Sequence, residues 1–247
     1  MAWDVLNAEI LAIWREHFAV QEEGVLAPLF YPDHGPPELL FVGFNPSFKI
    51  EATQARAPDV DVGEFYRWRE FIDERIPKMQ DIQHRFLEDF PYFAPMREIA
   101  EHVGMKWAHL DLYPWRNTNQ QQTIDFLDGR PALKLRLDRL FEATIRRLKP
   151  AIIVVANAYA SKCFKLLFEG HLPFDDKVGF HRLEMDSKPT AVFFSSMLTG
   201  QRALDTGSLE RLRWHVRKAA EGLKPARALN GDRSRHMSWG AGDVEFD

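Results

Sequence analysis

Residues 39 to 47, which read Leu-Leu-Phe-Val-Gly-Phe-Asn-Pro-Ser, place the strongest constraint on the fold of this chain. Four consecutive apolar residues predict a strand buried on both faces, as in a parallel sheet covered by helices. Gly43 and Pro46 end this strand, because glycine permits unusual backbone conformations and proline cannot donate a hydrogen bond to a neighbouring strand. The stretch therefore predicts a central strand followed by a sharp turn.

Asn45 and Ser47 lie at this turn and are the first candidates for chemistry. Ligands of open α/β sheets bind beyond the carboxyl ends of the strands. The Asn45 amide can both donate and accept hydrogen bonds, and it is short enough for a turn to hold it rigidly. The alternative is a plain strand-to-turn junction, since Asn, Pro and Ser are ordinary turn residues.

Three further segments are predicted as strands, and helical patterns separate them. The segment from Trp107 to Pro114 carries His109 and Asp111 on one face by the period of two. The apolar, β-branched run from Ala151 to Val155 predicts a central strand, and Asn157 can cap the helix that follows. The remaining predicted strand is 191–194, and the main predicted helices are 3–18, 131–149, 157–168 and 208–222.

Strands that alternate with helices predict an α/β fold. We expect three α/β/α layers around a central, mainly parallel four-stranded sheet, in a single domain over residues 1–223. Residues 64–103 are predicted to form a helical insertion of two or three helices, whose first helix ends at Pro77. Residues 224–247 are polar and Gly-rich and are predicted to form a loosely held tail.

Three polar loops follow the predicted strands, at 43–48, 111–119 and 195–202. Right-handed crossovers bring the carboxyl ends of parallel strands to one edge of the sheet, so these loops are expected to converge. Such convergence is a stronger indication of a site than any of the loops alone.

Composition and missing motifs exclude several functions. The formal net charge of −4 means that nucleic acid would have to bind a local basic patch. Cys163 is the single cysteine, which excludes a disulfide and a four-cysteine cluster, and it is predicted to be a buried thiol. The chain has no P-loop, dinucleotide fingerprint, nucleophile elbow or His-Glu-x-x-His pattern. We expect no metal and no cofactor, no membrane association and a cytoplasmic location.

The order of motifs resembles the uracil-DNA glycosylase superfamily. A strand ends in Gly-x-Asn-Pro-Ser at 43–47, a later strand ends in Pro-x-Arg-Asn-Thr at 114–118, and an apolar strand follows Lys-Pro. The resemblance covers residues 38–222. It implies a base-excising enzyme in which Asn45 positions the attacking water, Phe48 stacks on the base and Asp111 reads the edge of the base. The substrate-binding residues that it implies are Gly43, Phe44, Pro46, Ser47, Phe48, Asp111, Tyr113, Arg116 and Asn117.

The last motif of the superfamily is typically His-Pro-Ser, whereas the matching loop here reads Ser195-Ser196-Met197. Ser195 and Ser196 are the candidate catalytic donors in place of the histidine, although a neutral donor is weaker than a charged one. Gln201 and Arg202 are alternative donors and candidate DNA contacts. Met197 and Leu198 are candidate wedges into the base stack, or else buried packing residues.

Asp111 also departs from the superfamily, which usually has Asn at this position. An ionised carboxylate only accepts hydrogen bonds and would prefer an exocyclic amine or a ring N–H. We therefore carry three hypotheses: a glycosylase acting on nucleic acid, DNA more than RNA; a silent nucleic-acid or nucleotide-binding module; and an interaction domain whose partner contacts the aromatics of 64–103.

Overall fold

A sheet of six strands organises the protein in its computed structural model, which describes residues 2–18, 23–185, 188–200 and 203–223. The predicted tail at 224–247 lies outside the described residues. The strands are β1 (Leu39–Gly43), β2 (Trp107–Asp111), β3 (Ile152–Ala156), β4 (Phe174–Asp175), β5 (Phe180–Leu183) and β6 (Thr190–Ser195). The helices are α1 (Ala2–His17), α2 (Ile50–Gln54), α3 (Val62–Phe65), α4 (Ile76–Asp89), α5 (Ala94–Val103), α6 (Gln120–Asp128), α7 (Pro131–Leu148), α8 (Ala158–Leu167) and α9 (Thr206–Leu223).

The strand order is β2-β1-β3-β6-β5-β4. Strands β2, β1, β3 and β6 are parallel to one another, as predicted, while β5 runs antiparallel to both β6 and β4. The prediction of a four-stranded sheet was therefore wrong: the sheet is mixed, with six strands, and mostly parallel. The two missed strands are short and lack a buried apolar run, so they form through pairing, β5 with the edge of β6 and β4 with β5, rather than through their own sequence.

Helices cover both faces of the sheet. On one face, Leu40 and Val42 of β1 belong to a core with side chains of α1, α7 and α8. On the other face, Leu39 and Phe41 pack in a second core with α5 and α9. All five residues of β1 are buried, which confirms the prediction of a strand covered on both sides.

The insertion at 64–103 differs in detail from its prediction. Pro77 does not end a helix but lies in the first turn of α4, where its missing N–H costs no helical hydrogen bond. Short 3₁₀ turns at Trp68–Glu70 and Asp73–Arg75 replace the expected first helix. Helix α6 was missed, and β2 ends at Asp111 rather than at Pro114.

Two local predictions around β3 and α8 are confirmed. The Asn157 side chain accepts hydrogen bonds from the N–H groups of Tyr159 and Ala160 and so caps α8. Cys163 is buried within the same helix. In the part of the chain that the structure describes, no helix has the length and apolar character needed to cross a bilayer.

Candidate functional site

Asn45 joins the two loops that follow β1 and β2. Its side-chain Nδ2 donates to the carbonyl of Asn117 at 2.7 Å and to the carbonyl of Trp115 at 3.2 Å. Nδ2 also lies 3.3 Å from the carbonyl of Pro46 in its own loop. Backbone carbonyls thus take up both amide protons, which leaves Oδ1 as the accepting atom of this half-buried side chain. Asn45 therefore clamps the backbone on both sides of Arg116.

Further hydrogen bonds connect the same two loops along their length. The Asn117 N–H donates to the carbonyl of Pro46 at 3.1 Å. The Ser47 hydroxyl donates to the Thr118 hydroxyl at 3.4 Å, and the latter donates to the carbonyl of Phe48 at 2.8 Å. The structure therefore brings together two of the three loops that were expected to converge.

Asp111 is the last residue of β2 and lies in register with Gly43. A Cβ atom added to Gly43 would come within 2.3 Å of Asp111 Oδ1 and 3.0 Å of His109 Nε2. Glycine is therefore required here by close approach, because any larger residue would displace the Asp111 carboxyl group and the His109 ring. The carboxyl group lies over the end of β1, directly before the loop of Asn45.

Tyr31 holds the backbone of Asp111 in place. Strand β2 is at the edge of the sheet, so its outer N–H and C=O groups need other partners. The Tyr31 hydroxyl accepts from the Asp111 N–H at 3.1 Å and donates to the Asp111 carbonyl at 3.5 Å. This contact fixes the end of the strand and with it the face on which the Asp111 side chain lies.

The side chains of Asp111 and His109 are buried side by side, each 5% exposed. Burial raises the pKa of Asp111 to about 8, against a smaller opposing influence of the Arg116 charge, and burial lowers the pKa of His109 to about 3. His109 Nδ1 is 3.8 Å from Asp111 Oδ2, but the pair is not an ion pair at neutral pH because both groups are then neutral. Neither ring nitrogen of His109 has a hydrogen-bond partner among the described residues.

Arg116 is a half-buried cation held by aromatic rings. Its guanidinium carbon lies 4.7 Å from the centre of the Tyr66 ring and 5.9 Å from that of Phe48. Burial lowers the pKa of Arg116, while Tyr66, Tyr31 and Asp111 oppose that shift. No described carboxylate forms a salt bridge with Arg116, and its Nε is buried without a partner. The site therefore contains a positive charge that no described anion neutralises.

Sequence reasoning missed three tyrosines of this site. Tyr31 contacts the backbone of Asp111, and Tyr66 stacks on Arg116. Tyr92 packs edge-to-face against His109, with the ring centres 6.4 Å apart, and its pKa is raised by burial and by Asp111. Each tyrosine comes from a segment without a recognisable motif, so no local signal identified it.

Phe44 and Tyr113 were expected to bind substrate, but their side chains lie in the core. Phe44 packs edge-to-face against Tyr113 and Tyr159. The Tyr113 hydroxyl donates to Asp138 of α7 at 2.8 Å, and the residue is fully buried. Alternation explains the placement of Phe44, which follows Gly43 and lies on the sheet face opposite to that of Asp111. Tyr113 reaches the same core because β2 ends at Asp111 and the chain leaves the alternation of the strand there.

The third loop, after β6, lies apart from the hydrogen bonds that join the first two. The Ser195 hydroxyl donates to the carbonyl of Ser196, and Leu198 is 5% exposed within the α5–α9 core. In this conformation Leu198 is a packing residue and does not face a nucleic acid. Met197 is half-buried and forms a bridge with Ala203. Gln201 and Arg202 lie outside the described residues.

Thr199 links the third loop to the helical insertion rather than to the Asn45 loop. Its hydroxyl donates to the carbonyl of Tyr92 at 3.4 Å. Across the described ranges, no group of three or more His, Cys, Asp or Glu side chains is arranged to hold a metal ion.

No protein-family model matches the chain, and no curated protein matches it at a significant level. The resemblance to the uracil-DNA glycosylase superfamily therefore depends on the order of the motifs, and what it implies about activity stays a prediction.

Proposed function

We propose that this protein hydrolyses the N-glycosidic bond of a modified or damaged base in nucleic acid. The observation that supports the proposal is the fixed orientation of Asn45, whose amide protons are held by the carbonyls of Trp115 and Asn117. A water molecule that donates to Oδ1 of Asn45 is then oriented without any need for a perturbed pKa. The buried Asp111 beside the same loop supplies a group that can read a base.

In the proposed reaction, the oxygen of water forms a bond to the anomeric carbon of the sugar, and the bond from that carbon to the base nitrogen breaks. The hydroxyl group stays on the sugar and the remaining proton goes to the base, so atoms balance. Positive charge develops on the sugar and negative charge on the departing base, which makes prearranged charges and dipoles the main source of rate enhancement.

Arg116 is the described cation best placed to stabilise the departing base. Its guanidinium group packs against the adjacent rings of Tyr66 and Phe48, and no described carboxylate forms a salt bridge with it. Asn45 holds the backbone carbonyls of the residues on either side of Arg116, which are Trp115 and Asn117. Arg116 would thereby stabilise the negative charge on the departing base. In the superfamily that the chain resembles, a histidine of the last loop has this role, and the loop after β6 has no histidine.

The test is a panel of single- and double-stranded oligonucleotides that carry uracil, hypoxanthine, xanthine or alkylated bases. Abasic sites are read by alkaline cleavage. We expect excision of at least one base, and a loss of about 10²-fold or more in Asn45→Ala, because the water loses its orienting acceptor. Gln121→Ala removes an exposed amide of α6 and is the matched control, with unchanged excision. Full activity of Asn45→Ala at unchanged thermal stability contradicts the role of Asn45.

A second candidate function is a silent nucleic-acid or nucleotide-binding module. The observation that favours it is the neutral Ser195-Ser196-Met197 loop, where a charged histidine is expected. This function predicts salt-sensitive binding of the oligonucleotide panel with no base release. Absence of binding at low salt contradicts it.

The interaction-domain hypothesis required a contiguous exposed patch of aromatics in residues 64–103. In that segment, which the structure describes completely, every Phe, Tyr and Trp side chain is buried or half-buried. Trp68, for example, is 4% exposed and stacks on Phe71. The structure therefore provides no aromatic surface for a partner there.

A further inference from the structure

The carboxyl group of Asp111 is a buried polar group without a hydrogen-bond donor from the described residues. Its Oδ1 occupies the space that a side chain at position 43 would need, and its nearest basic group is His109, at 3.8 Å. Buried polar groups in folded proteins are nearly always hydrogen-bonded, and exceptions cluster at functional sites. The adjacent ring nitrogens of His109 are also unpaired. The His109 nitrogens are fully enclosed, whereas Asp111 keeps 5% of its surface exposed at the end of β2. The unpaired Asp111 carboxyl group therefore indicates a position where a ligand supplies the missing partner.

The protonation state of a carboxyl group determines which base edge it can bind. A neutral carboxylic acid presents one O–H donor beside one C=O acceptor. That pair is complementary to a lactam edge, in which a ring N–H lies next to a carbonyl oxygen, as in uracil and hypoxanthine. An ionised carboxylate presents two acceptors, so it repels the carbonyl oxygen and matches only an edge with two donors.

We infer that Asp111 is a specificity-determining residue that binds a lactam edge as a neutral acid and rejects that edge once it is ionised, so that base recognition switches with pH. The inference rests on the proposed base-excision function and adds the class of base and a proton dependence. It also explains how Asp can stand where Asn is expected, because a neutral carboxylic acid and a carboxamide both present one donor beside one acceptor.

The surroundings of Asp111 support the neutral form. Burial raises the pKa of its carboxyl group to about 8. The titratable or charged groups that face it are His109 of β2, Tyr31 before β1, Tyr92 before α5 and Arg116 after β2. At neutral pH the two tyrosines and the histidine are uncharged, since burial lowers the pKa of His109 to about 3 and raises those of Tyr31 and Tyr92. Arg116 is the single cation of this set, and its opposing influence on the carboxyl pKa is smaller than that of burial.

The experiment measures excision of uracil, or of hypoxanthine if that is the base excised, from an oligonucleotide across about pH 6 to about pH 9.5. The proteins are the wild type, Asp111→Asn and Asp111→Ala. We expect the wild-type rate to fall about tenfold between about pH 7 and about pH 9, as the carboxyl group ionises. Asp111→Ala should lose about ten- to hundredfold at every pH. Asp111→Asn should restore excision without the alkaline fall, because a carboxamide keeps the donor and the acceptor but does not ionise.

A second probe tests the edge directly. The same oligonucleotide with a methyl group on the ring nitrogen of the lactam keeps the lactam carbonyl oxygen but lacks the N–H, and we expect no excision of it. Any alkaline fall shared by the wild type and Asp111→Asn comes from the base or from other groups. Thermal melts of the three proteins at each pH separate misfolding from lost recognition.

The outcomes separate this inference from the proposed function. Identical pH profiles for the wild type and Asp111→Asn, or equal excision of the methylated base, overturn the inference and leave the excision activity standing. No abasic sites from any base, protein or pH overturn both. An alkaline fall in the wild type that Asp111→Asn removes, together with rejection of the methylated base, supports both.

Discussion

At the scale of single residues, the site combines one rigid amide, one neutral acid and one unpaired cation. Asn45 obtains its rigidity from backbone carbonyls of a loop about seventy residues later in the chain. Asp111 obtains its neutrality from burial, and Arg116 is held by ring faces rather than by a counter-ion. In a low-dielectric environment, such a cation acts strongly on any negative charge that develops beside it.

Arg116→Met should lower the rate of base release about 10²-fold or more with a small change in KM, because the stabilising charge is lost while the apolar volume is kept. Arg116→Lys should retain part of the rate. The measurement is single-turnover excision for each protein. Arg75→Met is the matched control, since Arg75 also stacks on an aromatic ring, that of Phe65 at 5.4 Å. Retention of the full rate in Arg116→Met, which keeps the apolar volume without the charge, would indicate a packing role instead.

At the scale of elements, the end of β2 depends on a contact from outside the sheet. The edge position of β2 leaves the N–H and C=O of Asp111 without a strand partner, and the Tyr31 hydroxyl supplies both hydrogen bonds. Asn7 of α1 in turn donates to the Tyr31 carbonyl and accepts from its N–H, each at 2.8 Å. The position of α1 is thereby linked to the position of the Asp111 carboxyl group.

Tyr31→Phe should destabilise the protein by about 1–3 kcal/mol, because a buried N–H and C=O lose their partner. Amide hydrogen exchange at Asp111 should accelerate more than at Ala108 in the middle of the same strand. The measurements are urea unfolding and site-resolved exchange. Tyr66→Phe is the control, since the Tyr66 hydroxyl makes no hydrogen bond to the described residues. Unchanged exchange at Asp111 would contradict the role assigned to Tyr31.

At the scale of the whole molecule, the buried pair of Asp111 and His109 links stability to pH in two opposite directions. The pKa of Asp111 is raised by folding from 3.8 to about 8, so its contribution is fully present below about pH 4 and is lost as pH rises through about 8. The pKa of His109 is lowered from 6.5 to about 3, so its contribution is present above about pH 6.5 and is lost as pH falls through about 3. From about pH 4 to about pH 6.5 both groups contribute, and their opposite slopes of stability against pH cancel.

Asp111→Asn should therefore gain stability relative to the wild type as pH rises from about 4 to about 8, with an upper limit of about 1.4 kcal/mol per pH unit. The gain should level off above that range. His109→Gln should show the opposite trend, with its relative gain growing as pH falls below about 6.5. Urea unfolding of the three proteins at several pH values measures both trends. A pH-independent difference between Asp111→Asn and the wild type would show that the carboxyl group titrates normally.

Local sequence patterns predicted the parallel part of the sheet and the turn in which Asn45 lies. Both depend on local patterns: apolar runs such as Leu39–Val42 must be buried on two faces, and Gly43 and Pro46 end a strand wherever it packs. The cap at Asn157 and the buried Cys163 were predictable for the same reason.

The other features depend on how distant segments pack together. Strand β5 forms along the edge of β6, and β4 forms along β5. Tyr113 lies in the core because β2 ends at Asp111 and the Tyr113 hydroxyl finds Asp138 of α7 as its partner. Tyr31 reaches Asp111, Tyr66 reaches Arg116 and Tyr92 packs on His109, each from a separate segment of the chain. The neutrality of Asp111 likewise follows from burial, which is a property of the packed molecule: a carboxyl group titrates according to the groups around it, and those groups come together only when the chain folds.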